Sequence, residues 1–206
     1  MGYKTVGGRA EARFIERKSE FIGYLSHTET EAQALAFIAE IRALHRKATH
    51  NCYAYLLREN NISRHSDDGE PSGTAGAPIY EVLRREGLVD VTCVVTRYFG
   101  GVLLGAGGLV RAYTQGAKTA VDAAVIRDMD TALRLRLTLA YPLYGRLGKI
   151  FAEYDVRTEA EDFAENVVLT LAIRAERAEA FKLALDDCSG GGILTETVEE
   201  TDYNFS

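Results

Sequence analysis

The sequence predicts an α+β protein of two domains. Three observations carry this reading. First, 206 residues at 47% hydrophobic and 26% charged suit one or two ordinary globular cores. Second, apolar periodicity switches repeatedly between the two-residue and the 3.6-residue repeat. Third, charge divides unevenly: residues 1–130 hold 16 basic and 16 acidic side chains, whereas residues 131–206 hold 8 and 14. A boundary is therefore expected near 129–131, giving domains 1–130 and 131–206.

In the first domain, residues 11–27 mix Phe14, Ile15, Phe21, Ile22, Tyr24 and Leu25 with polar residues, as two short strands would. Thr28 and Glu31 form a capping-box pair ahead of a helix carrying Ala34, Phe37, Ile38, Ile41 and Leu44. Residues 52–57 read as a strand and 60–77 as a long polar loop. Pro78 opens a short helix with Ile79, Val82 and Leu83. The β-branched run 89–96 is a buried strand, 98–107 a glycine-rich loop, and 108–127 a helix with Leu109, Tyr113, Ala117, Ala120 and Ala124 on one face.

The second domain alternates through Leu133, Leu135, Leu137 and Leu139, then enters a helix at Pro142. Strands at 156–163 and 167–173, a helix through Ala178, Phe181, Leu185 and Cys188, and a closing strand at 193–198 complete the order βαββαβ. That is the split-βαβ pattern of a ferredoxin-like domain.

Several function classes are excluded or disfavoured. The net charge of −6 opposes wholesale capture of nucleic acid. The polar start of the chain lacks an apolar signal segment, and the most apolar stretch is interrupted by Arg97 and glycines, so a cytoplasmic location and no membrane partner are expected. Cys52, Cys93 and Cys188 lack CxxC spacing, which argues against a disulfide framework or a zinc cluster.

Two stretches lack acid: 41–58, with Arg42, Arg46, Lys47 and Arg58, and 91–121, with Arg97, Arg111 and Lys118. The second contains RYFGGVLLGAGGLVRAY, with glycines at 100, 101, 105, 107 and 108 just ahead of a helix. Free amides of a first helical turn attract anions, so Gly107, Gly108 and Leu109, flanked by Arg97, Arg111 and Lys118, form a candidate anion or nucleic-acid face. Tyr98 or Tyr53 is the stacking candidate. No Walker loop is present, and Val110 occupies the third glycine position of a Rossmann fingerprint.

The block HSDDGEPSGTAGAP presents Asp67, Asp68, Glu70, Ser72 and Thr74, and with His50 it forms a candidate ligand loop. Its carboxylates leave a metal reading open, but the spacing is not that of an EF-hand. Ser72 lacks a nucleophile elbow. The plainer reading is a turn-rich loop in which Asp and Ser cap backbone amides. No catalytic set and no cofactor are expected.

The segments ATHNCYAYLL, SDDGEPSGTAGAPI and VVTRYFGGVLLGAGGLVRAY, in order over residues 48–113, closely resemble the YigZ/IMPACT family. Val102 departs from it, standing where many members carry lysine. The resemblance implies a first domain similar to ribosomal protein S5 domain 2, followed by the ferredoxin-like domain, a layout similar to domains IV and V of elongation factor G. It implies eukaryotic relatives that regulate translation initiation by competing for an activator of the kinase acting on initiation factor two alpha. That role is tied to a separate domain and does not carry over. The expected function is therefore non-catalytic binding of RNA or the ribosome. The alternatives are a protein-partner module using the acidic second domain, or a small-ligand protein whose loops 67–76 and 100–108 close one pocket.

Overall fold

The computed structural model describes residues 2–206, which divide into two compact units, Tyr3–Arg127 and Asp128–Ser206. The first contains β1 (Tyr3–Val6), β2 (Arg9–Glu16), β3 (Ser19–His27), α1 (Glu31–Leu44), β4 (His50–Leu56), β5 (Ser63–Ser66), α2 (Gly76–Arg85), β6 (Val91–Tyr98) and α3 (Ala106–Asp122). Strands pair antiparallel in the order β2-β3-β6-β4-β5.

Strand alternation gives this sheet two apolar faces. Phe21, Leu25, Cys52, Ala54, Cys93 and Val95 pack under α2 and α3. Ile22, Tyr24, Tyr55 and Val94 pack under α1 through Ala34, Phe37, Ile38 and Ile41. Burial on both sides explains the β-branched, almost wholly buried run of β6. On β3, Gly23 lies where α3 crosses most closely, and a Cβ there would stand 2.2 Å from the Gly116 carbonyl oxygen. The small pair Gly23 and Gly116 thus sets the approach of α3 to the sheet.

Three local expectations are corrected. The cap of α1 is Thr30, which accepts from the Gln33 amide at 3.3 Å while the Gln33 side chain accepts from the Glu29 amide at 2.7 Å. Thr28 is occupied elsewhere, its buried hydroxyl lying 2.7 Å from that of Thr92. The polar stretch 60–77 contains β5, an edge strand of exposed residues that needs no apolar alternation. Helix α3 starts at Ala106 and ends at Asp122, because Gly105, at φ +72°, makes the turn into it.

The second unit comprises β7 (Ile126–Leu139) from Asp128 onward, α4 (Tyr141–Tyr154), β8 (Arg157–Phe163), β9 (Val167–Arg174), α5 (Ala178–Ser189) and β10 (Leu194–Asn204). Within it, β7 pairs antiparallel with both β10 and β9, and β9 with β8. The inward leucines of β7 and β9 pack against Leu147, Phe181 and Leu185 of the two helices. The expected boundary at 129–131 falls inside β7, whose extended backbone begins five residues before Thr131.

Candidate binding cleft

The apolar run of β6 ends in an arginine, and the chain must accommodate that charge. Arg97 is directly opposite His50 on β4 and Phe21 on β3, so these three side chains share the face covered by α2 and α3. Arg97 is only 5% exposed. Its guanidinium sits 5.6 Å from the ring centre of Phe21 and 5.4 Å from that of Phe99.

A counter-charge arrives from the loop 67–76. The Glu70 amide donates to the Asp67 carbonyl at 2.9 Å, closing a turn whose central residues, Asp68 and Gly69, have φ of +45° and +89°. Asp-Gly is a pair suited to such a turn. The turn delivers Glu70, 8% exposed, beneath the sheet edge. Its Oε1 accepts from Arg97 Nη1 at 2.6 Å and from the Tyr113 hydroxyl of α3 at 2.8 Å. Burial pushes the Tyr113 phenol far above its ordinary range, so it remains a donor. Burial likewise raises the Cys52 thiol, whose Sγ donates to the Asp67 carbonyl at 2.9 Å.

His50 Nδ1 lies 2.8 Å from the Asp68 carbonyl, which only accepts, so Nδ1 carries the hydrogen. His50 Nε2 then faces Glu70 Oε2 at 3.8 Å. Above this cluster is a cleft of about 420 Å³, walled by Phe99, Leu103, Leu104, Pro71 and Leu109 and reached by Gly105 and Ala106 at the start of α3. The loops 67–76 and 100–108 therefore meet over one hollow.

The other members of the acidic loop hold it in shape. Asp67 accepts from the amides of Gly73, Ala75 and Gly76 at 2.8–3.0 Å, capping α2, whose own N-cap residue, Ala75, has no side-chain acceptor. Partial burial opposes its ionisation, but these three amides outweigh it and hold its pKa below the ordinary 3.8. Asp68 accepts from Arg42 and from the Asn51 amide, both at 2.7 Å. The Thr74 hydroxyl donates to the Pro71 carbonyl at 2.7 Å, and Ser72 is exposed. The carboxylates are thus spoken for separately, and among the described residues no three His, Cys, Asp or Glu side chains gather as a metal site.

A stability consequence follows. A group with a depressed folded pKa stabilises above its unfolded pKa and loses that contribution as pH falls through the folded value. Urea unfolding of Asp67→Ala is expected to show a loss of about 1–3 kcal/mol at pH 7. The gap between variant and wild type should close as pH falls below 3.8. A gap independent of pH would refute the amide-capping role.

The anion candidates separate. Arg97 is buried against Glu70 rather than presented on a basic surface. Lys118 lies between Glu86, at 3.3 Å, and Asp122. The Leu109 amide donates to the Gly105 carbonyl at 2.9 Å and its side chain is buried, so the free first-turn amides lie before it. Gly107 is exposed and Gly108 half-buried. Arg111 is exposed and without an ion pair among the described residues; with Glu16, Arg17, Gly108 and Gln115 it lines a second hollow of about 150 Å³ that shares Leu104 with the cleft, and there Arg17 Nε lies 4.0 Å from Glu16 Oε1.

Tyr98 points to the opposite face of the sheet from Arg97, where its hydroxyl lies 2.9 Å from His45 Nδ1. Tyr53 is on that face as well, stacked on Tyr55 at 6.2 Å. Neither tyrosine borders the cleft. The aromatic that does is Phe99, which the sequence also offers for stacking beside the basic residues; Arg17, Leu103 and the hydroxyl of Tyr113 carry no such signal on their own. The available signals were a charge closing an apolar strand and a phenol on an otherwise aliphatic helix face.

Comparison with known proteins gives concordant results. The Impact N-terminal domain model matches residues 17–121, and a domain of unknown function, DUF1949, matches residues 137–191. IMPACT family member YvyE of Bacillus subtilis is 36% identical over 190 residues, covering 92% of this chain and 88% of its own. IMPACT family member YigZ of Escherichia coli is 34% identical over 187 residues, covering 89% and 92%. The Protein IMPACT homolog of Dictyostelium discoideum is 35% identical over 96 residues, 44% of this chain and 27% of its own. A crystal structure described as that of a hypothetical protein superposes with a TM-score of 0.61 at 31% identity, covering 96% of this chain and 98% of that one.

Proposed function

The chain belongs to the IMPACT family, and from that premise we propose that it is a non-catalytic binding protein of the translation apparatus that grips RNA backbone with its first unit. The observation that carries the reading is the second hollow: exposed Arg111 and Arg17, two cations against the one lining carboxylate, Glu16, flank Gly108 beside the unbonded amides that open α3. Fork-shaped guanidinium donors and a helix start both suit a phosphate oxygen. The anion seat accordingly uses Arg17 where the sequence suggested Arg97. The acidic second unit, with 8 basic and 14 acidic side chains in residues 131–206, limits non-specific capture.

The same reading extends to the folds. We take the second unit as ferredoxin-like because its first strand, β7, lies between its last, β10, and its third, β9. We take the first as related to ribosomal protein S5 domain 2. Both types occur among RNA-binding proteins, which is support by analogy.

Filter binding of a structured RNA at two salt concentrations tests the function. Binding should weaken with salt, and Arg111→Ala should lower both the affinity and the logarithmic salt slope, the latter by about 1. Lys118→Ala, whose ammonium is already committed to Glu86 and Asp122, should leave binding nearly unchanged. Absent binding, or binding indifferent to both Arg17→Ala and Arg111→Ala, refutes it.

A further inference from the structure

The cleft beside the arginine hollow is a built site in which some polar atoms are left without partners. Arg97 lines it at 5% exposure, and its buried Nε–H has no acceptor. A buried donor without a partner costs free energy unless a ligand satisfies it. On the same side, Glu70 Oε1 is filled by Arg97 and Tyr113, while Oε2 faces His50 Nε2 at 3.8 Å. Because His50 Nδ1 carries the hydrogen toward the Asp68 carbonyl, neutral His50 offers only a lone pair at Nε2. While His50 is neutral, two acceptors face each other there with no hydrogen between them. A ligand group bearing two N–H bonds satisfies both.

The remaining wall is flat and apolar. Phe99 is 46% exposed and Leu103 81% exposed, an unusual display for side chains of this size around a cleft of about 420 Å³. Such a ring is a stacking surface for a planar ligand. The cleft also shares Leu104 with the Arg17–Arg111 hollow, so the two are neighbours.

We infer that the cleft seats one unstacked nucleobase with an amino group beside a ring acceptor, adenine or cytosine. The amino group donates to His50 Nε2 and Glu70 Oε2, the ring nitrogen accepts from Arg97 Nε, and the ring lies against Phe99. Uracil presents a carbonyl oxygen where the amino group belongs, placing three acceptors together, and is rejected. The inference deepens the RNA reading and rests on it for the source of the base.

The test is amide NMR titration of the full chain with AMP, CMP and UMP, followed by the same titration on His50→Ala and Leu103→Glu. AMP or CMP should shift the amides of Phe99, Leu103 and Ala106, with UMP binding at least about fivefold more weakly, the lower end for one lost polar base contact. His50→Ala should erase that preference. Leu103→Glu, a change at an exposed loop position, should block all three nucleotides while leaving the remaining spectrum intact. Silence of all three at millimolar concentration, or equal response to them, overturns the inference. So does a glutamine amide that shifts these resonances when the nucleotides do not, which would make the occupant a peptide. If the nucleotides are silent but RNA binding still depends on Arg111, the base seat falls and the RNA reading stands. If AMP or CMP binds with the stated preference but RNA does not, the base seat stands and the RNA reading falls.

Discussion

Replacing Glu70 by Ala is expected to destabilise the first unit by about 3–5 kcal/mol, because it strands the Arg97 guanidinium in a closed site. Arg97 has 5% exposure, and its short contact to Glu70 Oε1 is 2.6 Å. Surface pairs in the same unit, such as Arg84 with Glu81, contribute far less, because solvent screens them. Arg97→Met alone should be costly too, since Glu70 then keeps the Tyr113 hydroxyl as its one close hydrogen-bond donor among the described residues, with His50 Nε2 at 3.8 Å. The double variant Glu70→Leu, Arg97→Met should recover much of the loss, since it removes both charges together. Urea unfolding of the four proteins gives the coupling energy directly. Coupling below about 0.5 kcal/mol would show that the pair does not organise the cleft.

Gly23→Ala is the second large effect. The added Cβ would meet the Gly116 carbonyl oxygen at 2.2 Å and Ala120 Cβ at 3.0 Å. The first obstacle is helix backbone, which cannot rotate aside as a side chain can. The expected cost is about 3 kcal/mol or more, at or beyond the upper end for overpacking. Because α3 also carries Tyr113 and the amides at Ala106–Gly108, its displacement should disturb the cleft as well as the core. Amide NMR should therefore show shifts at both ends of α3. A variant of wild-type stability with shifts confined to β3 would contradict the close approach.

The candidate site was partly legible. The acid block announced a capping loop, and Asp67 does cap backbone amides. The glycine block announced a helix start, and α3 begins within it. Legibility failed where a residue's role depends on a partner distant in sequence. Arg97 read as a surface cation because its neighbours include no acid, yet Glu70 reaches it from 27 residues away. Tyr98 read as its companion because the two are adjacent, but adjacent strand residues face opposite sides of a sheet. The edge strand β5 escaped notice because SRHS has no apolar pattern to show.

From its own order of residues, this chain settles most of its strands and all its longer helices, that they divide between two units, and that two loops hold the polar groups of interest. Periodicity, caps and turn residues are local, and local physics is written along the chain. Only the tertiary structure decides that Glu70, Arg97, Tyr113 and His50 form one cluster, and that Arg111 stands beside Arg17. Those assignments are set by strand register and by the approach of α3 over Gly23, and a burial cost is felt only once both partners are enclosed.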